Sequence, residues 1–541
     1  MYWLSKCQKY HEQCNAVGVD RKEWCPTRLL DIGKHELESD DFIQLIDCRN
    51  SSLENPSYLT LSHCWGSATF VCLNRSTLKD LRTGISVSLL PQTFRDAITI
   101  ARRLQVQYLW IDSLCIMQDK DDPSDWLQEA ALMHKVYSNA FLNISATGAS
   151  DSSKGLFTRR NPQTLRPPEI ELSSDGLQSS KSKVSTKYRL ARTLFWRTEL
   201  SQAPLMKRAW VLQERLLAPR VLHFAHDQLL WECCEMDASE TYPEELPPAL
   251  AVETSTHFKR LNPLVDGPRL RQYGLQEVES RFFAHELWKR IAESYSKGLL
   301  TNGGDKLIAL SGIAKKISSM LVDEYVVGMW RFCLESQLLW WIDHCQQANH
   351  EPSTRPGGYR APSFSWASVD GMVTTGDFTD KGMLIEVTDV KIDYVTNDVT
   401  GPVKGGCLYL KGSLKKLELE RDPLTMSWVT MVNGVQVQSG HSSPAVLLDV
   451  DQANFNEEND RQALYCMPAR APFARYQFFI CLILKSIGEQ SKRAGEFQRL
   501  GVLMTSQQPL MRILLDSHDE EKFLPCMEYD GRNRRHQICL I

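Results

Sequence analysis

The 541-residue chain has no long apolar run, and its most hydrophobic short stretch, Phe478 to Leu484, is far too short to cross a bilayer core of about 30 Å. The opening MYWLSKCQKYHEQCN has no sustained apolar segment behind its charges, which argues against a secretory signal. Basic residues are not in excess: 62 Lys and Arg stand against 66 Asp and Glu, so the footprint of a general nucleic-acid binder is missing and nucleic acid is not an expected partner. No G-x-x-x-x-G-K-[ST] loop is present, which speaks against a built-in nucleoside-triphosphate switch. No tandem repeat at fixed period is present either, which excludes a solenoid or propeller. The 16 cysteines are scattered without paired CxxC knuckles, so they read as buried thiols in a reducing cytosol or nucleus, and a cytoplasmic location is expected.

What is present suffices for more than one core: 43% of residues are hydrophobic and 24% charged. Residues 1–57 read as a lead-in with one short helix and a strand-like Phe42–Asp47. Residues 58–215 carry a strand–helix–strand–helix–strand alternation. Its strands are YLTLS (Tyr58–Ser62), YLWI (Tyr108–Ile111) and FLNIS (Phe141–Ser145), rich in apolar residues as strands covered on both faces are. Between the first two, Phe94, Ala97, Ile98, Ala101 and Leu104 share one helical face behind Pro91. Between the second and third, Trp126, Ala130, Met133 and Tyr137 form a stripe with Ser124 as the expected cap. Such alternation predicts a parallel or mostly parallel sheet with right-handed crossovers.

Residues 161–190 are rich in Pro, Ser and Lys and read as a surface loop. Residues 216–360 read as a mainly helical and connecting region, irregular over Asp237–Arg271 and helical over Phe283–Ser296 and Leu307–His344. Residues 361–541 turn to period-two alternation, with an Asn433-Gly434 turn, and predict a β-rich C-terminal region.

Five segments in order then carry a family resemblance: Tyr58-Leu-Thr-Leu-Ser-His-Cys-Trp-Gly66, Leu90-Pro-Gln-Thr-Phe-Arg-Asp-Ala97, Tyr108-Leu-Trp-Ile-Asp-Ser-Leu-Cys-Ile-Met-Gln-Asp119, Asp125-Trp126 with Glu129, Met133 and Tyr137, and Arg208-Ala-Trp-Val-Leu-Gln-Glu-Arg215. Together they resemble the motif series of the fungal heterokaryon-incompatibility (HET) domain. The leading Trp3, Cys7, His11 and Cys14, the Val221–Phe224 and Trp231–Cys233 runs, Asp305–Gly312 and Ala361–Asp370 look like recurring surroundings of that domain. The resemblance implies an α/β HET core, remotely TIR- or flavodoxin-like. It also implies a role in fungal self/non-self recognition and programmed cell death, akin to an innate immune response. Likeness to TIR domains, some of which cleave NAD, makes NAD a candidate substrate; no bound cofactor is expected. The alternative is a non-enzymatic adaptor whose HET unit assembles with a protein partner or with itself under control of the C-terminal region.

In an open parallel sheet ligands bind beyond the carboxyl ends of the strands, which here carry Ser62, His63, Cys64, Trp65 and Gly66, then Asp112 and Cys115. Glu129 falls on the apolar stripe with Trp126, where a carboxylate is costly unless paired or functional. The candidate catalytic set is therefore Glu129, Asp112 and His63, with Ser62, Trp65, Gly66, Cys115 and Trp126 around the ligand. In the competing reading Glu129 and Asp112 merely bridge to Arg95, Arg102 or Arg208, and the tryptophans pack the core; the sequence leaves both open. A cysteine hydrolase built on His63 and Cys115 is a minor third. Arg208, Trp210, Gln213 and Glu214 read as a structural motif tying the core to the region beyond residue 215.

Two clusters raise metal. Cys7, His11 and Cys14, at i, i+4 and i+7, would align three zinc ligands on one helical face, with Cys25 completing a tetrahedron; helix packing explains them equally. His223, His226, Cys233 and Cys234 would be scattered by strand alternation. No metal site is assigned.

Overall fold

A computed structural model describes residues 1–16, 24–33, 41–49, 53, 56–67, 69–174, 184–192, 194–247, 250, 259, 261, 280–343, 352–376, 379–421, 428–436, 445–450, 464–473, 477–487 and 495–541. The chain divides into two compact units, residues 1–261 and 262–541. Among the described residues no helix is long and apolar enough to cross a membrane.

In the first unit the strands are β1 (Arg28–Asp31), β2 (Phe42–Asp47), β3 (Tyr58–Ser62), β4 (Ile85–Ser86), β5 (Tyr108–Trp110), β6 (Leu142–Ser145), the hairpin β7 (Glu169–Ser174) and β8 (Val184–Arg189), β9 (Arg220–Phe224), β10 (Leu229–Cys233) and β11 (Asp237–Ser239). The helices are α1 (Tyr2–Tyr10), α2 (Glu12–Ala16), α3 (Leu78–Thr83), α4 (Gln92–Arg103), α5 (Asp112–Cys115), α6 (Ser124–Asn139) and α7 (Ala209–Leu217). Nine of the described strands form one sheet in the order β11-β10-β9-β6-β3-β5-β1-β2-β4.

The expected parallel core is there: β3 runs parallel to β5 and β6, and β6 to β9. The sheet as a whole is mixed rather than mostly parallel, because β1 joins β5, and β10 joins β9, antiparallel. Residues before 58 supply β1 and β2, so the lead-in belongs to the sheet. All five residues of β3 are buried, Thr60 and Ser62 included, so the strand is covered on both faces. Helix α4 follows Pro91, whose fixed φ of −63° suits a helix entry, and buries Phe94, Ala97, Ile98 and Ala101 as the period demanded. Ser124 is not the cap of α6: Pro123 holds that position, and the Ser124 hydroxyl and amide instead donate to the Asp122 carboxylate. Part of the 161–190 loop is the β7–β8 hairpin; residues 175–183 lie outside the described residues.

In the second unit the helix Ser280–Ser296 matches expectation, but the helical pattern from Leu307 stops at Ser318. A two-stranded hairpin follows, Tyr325–Val326 against Met329–Trp330, turning through Val327 and Gly328 at φ of 43° and 89°. The reason is tertiary: the Gly328 carbonyl accepts from the indoles of Trp288 and Trp366, and a side chain on Gly328 would meet the Trp366 ring at 3.0 Å. His344 lies outside the described residues. The β-rich expectation holds: among the described residues eleven strands form one sheet, antiparallel except where Glu496–Thr505 meets Arg535–Leu540, with Asn433 and Gly434 turning at positive φ.

Candidate functional site

The connections after β3 and β6 leave in opposite directions, toward β5 and β9, and the polar residues collect where these neighbouring strands end. Ser62 closes β3. Its hydroxyl accepts from the Asn143 amide at 3.0 Å, and Asn143 also accepts from Thr60 at 3.0 Å. Glu214 of α7, 7% exposed, accepts hydrogen bonds from Ser62 and from Tyr137 of α6. Burial, reinforced by the Asp112 charge, pushes the Glu214 carboxyl up to about 7 despite those bonds and the nearby Arg208 guanidinium. Burial likewise drives the Tyr137 phenol well up.

Asp112 stands at the end of β5, with its side chain 25% exposed. It accepts from the Trp65 indole at 3.0 Å and from the Ser113 amide at 2.7 Å. His63 Nδ1 lies 3.8 Å from Asp112, outside hydrogen-bond range. The ring is boxed by Phe94, edge-on at 4.9 Å, and stacked with Trp65 at 6.4 Å. Among the described residues His63 Nε2 is buried with no hydrogen-bond partner. Burial lowers His63 to about 4, so the imidazole is neutral at pH 7. Arg208 donates to the His63 carbonyl. Structure thus brings together Ser62, His63, Trp65, Asp112, Arg208 and Glu214.

Other candidates fall elsewhere. Glu129 is buried beside Thr27 and Arg28, with Asp125 and Arg49 nearby, and burial raises its carboxyl. Arg28 in turn pairs with Asp125 and donates to the Cys115 carbonyl at 2.9 Å. The bridges expected from other arginines are made differently: Arg102 pairs with Asp41 and Arg95 bonds Gln92. Trp126 packs edge-on against Trp210 at 6.2 Å and ties α6 to α7, while Gln213 is buried. Gly66 is exposed at φ 70°, and a β-carbon there would stand 2.4 Å from that of Asp151, so glycine here serves a close loop approach. Burial pushes the Cys115 thiol up to about 12 and raises Cys64 too, the opposite of an activated thiolate.

Two residues of this cluster were legible only as packing. Tyr137 sits on the α6 stripe, and Asn143 places an amide in the middle of FLNIS, the one hint that this strand end was spoken for. A second buried network was not foreseen: Arg215 grips Glu232 with two bonds of 2.6 Å, and His223 joins Glu232 at 2.8 Å and Thr147 at 2.9 Å. His226 is exposed beside Asp227, so His223, His226, Cys233 and Cys234 do not converge, as strand alternation implied. The N-terminal trio does converge, with a different fourth member: Cys25 stands by Cys48, and Cys233 completes the group with Cys7, His11 and Cys14.

No curated protein and no solved structure matches the chain. Residues 58–214 match the family model described as Heterokaryon incompatibility protein (HET), and the strand-end cluster lies within the matched segment.

Proposed function

We propose that this chain acts in fungal self/non-self recognition leading to programmed cell death, and that the strand-end cluster hydrolyses the N-glycosidic bond of NAD or a related nucleotide in a TIR-like manner. The observation that carries this reading is the meeting of two carboxyl groups in unlike surroundings: Glu214, buried and held near 7, and Asp112, partly exposed beside the Trp65 indole. Pairs of carboxyl groups in unlike environments are how glycosidic bonds are cleaved near neutral pH. In this scheme Trp65 stacks the base and Asp112 faces the ribose as positive charge develops at its anomeric carbon. Nicotinamide leaves with the bonding pair, water adds to that carbon, and Glu214 takes the proton of the water. Glu129, set among Thr27 and Arg28, serves the fold.

The test is nicotinamide release from NAD by the purified full chain, alone and after self-association is induced. Asp112→Asn and Glu214→Gln are expected to lower turnover by at least about a hundredfold, with Glu129→Ala near wild type. Loss in Glu129→Ala with Glu214→Gln active would move the chemistry to Glu129. No turnover in any state would favour the adaptor reading, which draws support from how fully Ser62, Tyr137 and Glu214 satisfy one another.

A further inference from the structure

The four ligand-type atoms of Cys7, His11, Cys14 and Cys233 all lie within 4.8 Å of one another, and all four residues are buried. His11 Nδ1 is 3.2 Å from Cys233 Sγ. In a tetrahedral zinc centre with bonds of about 2.3 Å to sulfur, the sulfurs stand about 3.8 Å apart, so the group needs only a small contraction to close on an ion. The local chain makes this convergence. Helix α1 ends at Tyr10, and His11 turns out of it with φ −99° and ψ 98°, its amide still donating to the Cys7 carbonyl at 3.0 Å. The short α2 then returns Cys14 to the same spot. Cys233 arrives from the last residue of β10, distant in sequence.

A second observation is independent of the ligands' spacing. Arg220 is 2% exposed, yet among the described residues it meets no carboxylate: its Nε donates to Cys7 Sγ at 3.1 Å, and its other nitrogens go to Asn15 Oδ1 at 2.6 Å and to the carbonyls of Phe141 and Cys14. A buried guanidinium without a counter-charge is costly. Three thiolates and one neutral imidazole around a divalent ion carry a net charge of about −1, which is what Arg220 lacks. The Met236 amide also points at Cys233 Sγ, at 3.3 Å, as backbone donors to metal-bound thiolates do.

We infer that Cys7, His11, Cys14 and Cys233 form a structural zinc site that fastens the first sixteen residues to the end of β10, and that Arg220 is its charge partner. With four protein ligands the site is closed, so its role is structural rather than catalytic. It extends the folded unit on both sides of the 58–214 match.

The experiment is metal analysis of the full chain, purified under reducing conditions and dialysed against zinc, together with cobalt(II) substitution read in the visible spectrum. About one equivalent of zinc per chain is expected, with tetrahedral d–d bands and thiolate charge transfer in the cobalt form. Cys7→Ser and His11→Ala should lose the metal, His11→Cys should regain it, and Cys48→Ser should keep it. Chelation should lower the thermal midpoint of the wild-type chain and leave His11→Ala unmoved. A folded wild-type chain that binds no zinc, a cobalt spectrum without thiolate charge transfer, or full occupancy in the Cys7→Ser/His11→Ala double variant would each overturn the inference.

Discussion

Replacing Glu214 by glutamine offers a direct measurement of the strain held in the strand-end cluster. Glu214 is 7% exposed, and burial lifts its carboxyl from 4.5 to about 7. A carboxyl raised on folding binds its proton more tightly in the native state, so its contribution to stability is complete below about pH 4.5 and is lost as pH rises through about 7. Integrated between pH 5 and pH 8, that linkage weakens the wild-type fold by about 2.5 kcal/mol. Glutamine keeps the volume and the acceptor oxygen for Ser62 or Tyr137 but carries no titrating proton. Any constant cost of the new amide, such as its approach to Arg208, cancels when the two pH values are subtracted. The assay is urea unfolding of both proteins at pH 5 and pH 8, followed by tryptophan emission. The variant is expected to gain about 2 to 3 kcal/mol on wild type in going from pH 5 to pH 8. An equal difference at the two pH values, or a loss on going to pH 8, would refute the account of Glu214 as a buried, proton-holding carboxyl group.

His63 tests the opposite sign. Its folded value of about 4 lies below 6.5, so the unfolded chain binds the proton first and stability falls as pH drops from about 6.5 toward 4, by up to about 3 kcal/mol. His63→Phe, filling the same box against Phe94, should flatten that limb of the unfolding profile; an unchanged limb would mean the imidazole is not held neutral. Arg215→Met leaves Glu232, which is 0% exposed, without its two guanidinium bonds and is expected to cost about 3 to 5 kcal/mol in urea unfolding. Adding Glu232→Leu to that variant should recover much of the loss, and a purely additive double variant would contradict a buried pair acting as a unit.

The parallel core of the first unit is legible in the sequence, because YLTLS and FLNIS are short, uncharged runs rich in apolar residues, as strands covered on both faces are, and because the α4 helix must show its period against them. The sequence likewise carried the β-rich second half, where alternation and the Asn433-Gly434 turn are local signals. It placed Ser62, His63 and Asp112 at strand ends, since that position is set by where the apolar runs stop. Which carboxyl group joins them was beyond it. Glu129 and Glu214 both sit on largely apolar helical faces, and only the packing of α7 on α6 decides that Glu214 reaches Ser62 and Tyr137 while Glu129 turns to Thr27 and Arg28. The antiparallel addition of β1 to β5, the end of the helix at Ser318 and the choice of Cys233 over Cys25 have the same origin. Each is settled by a partner far away in the chain, and local pattern carries no record of which distant residue will arrive.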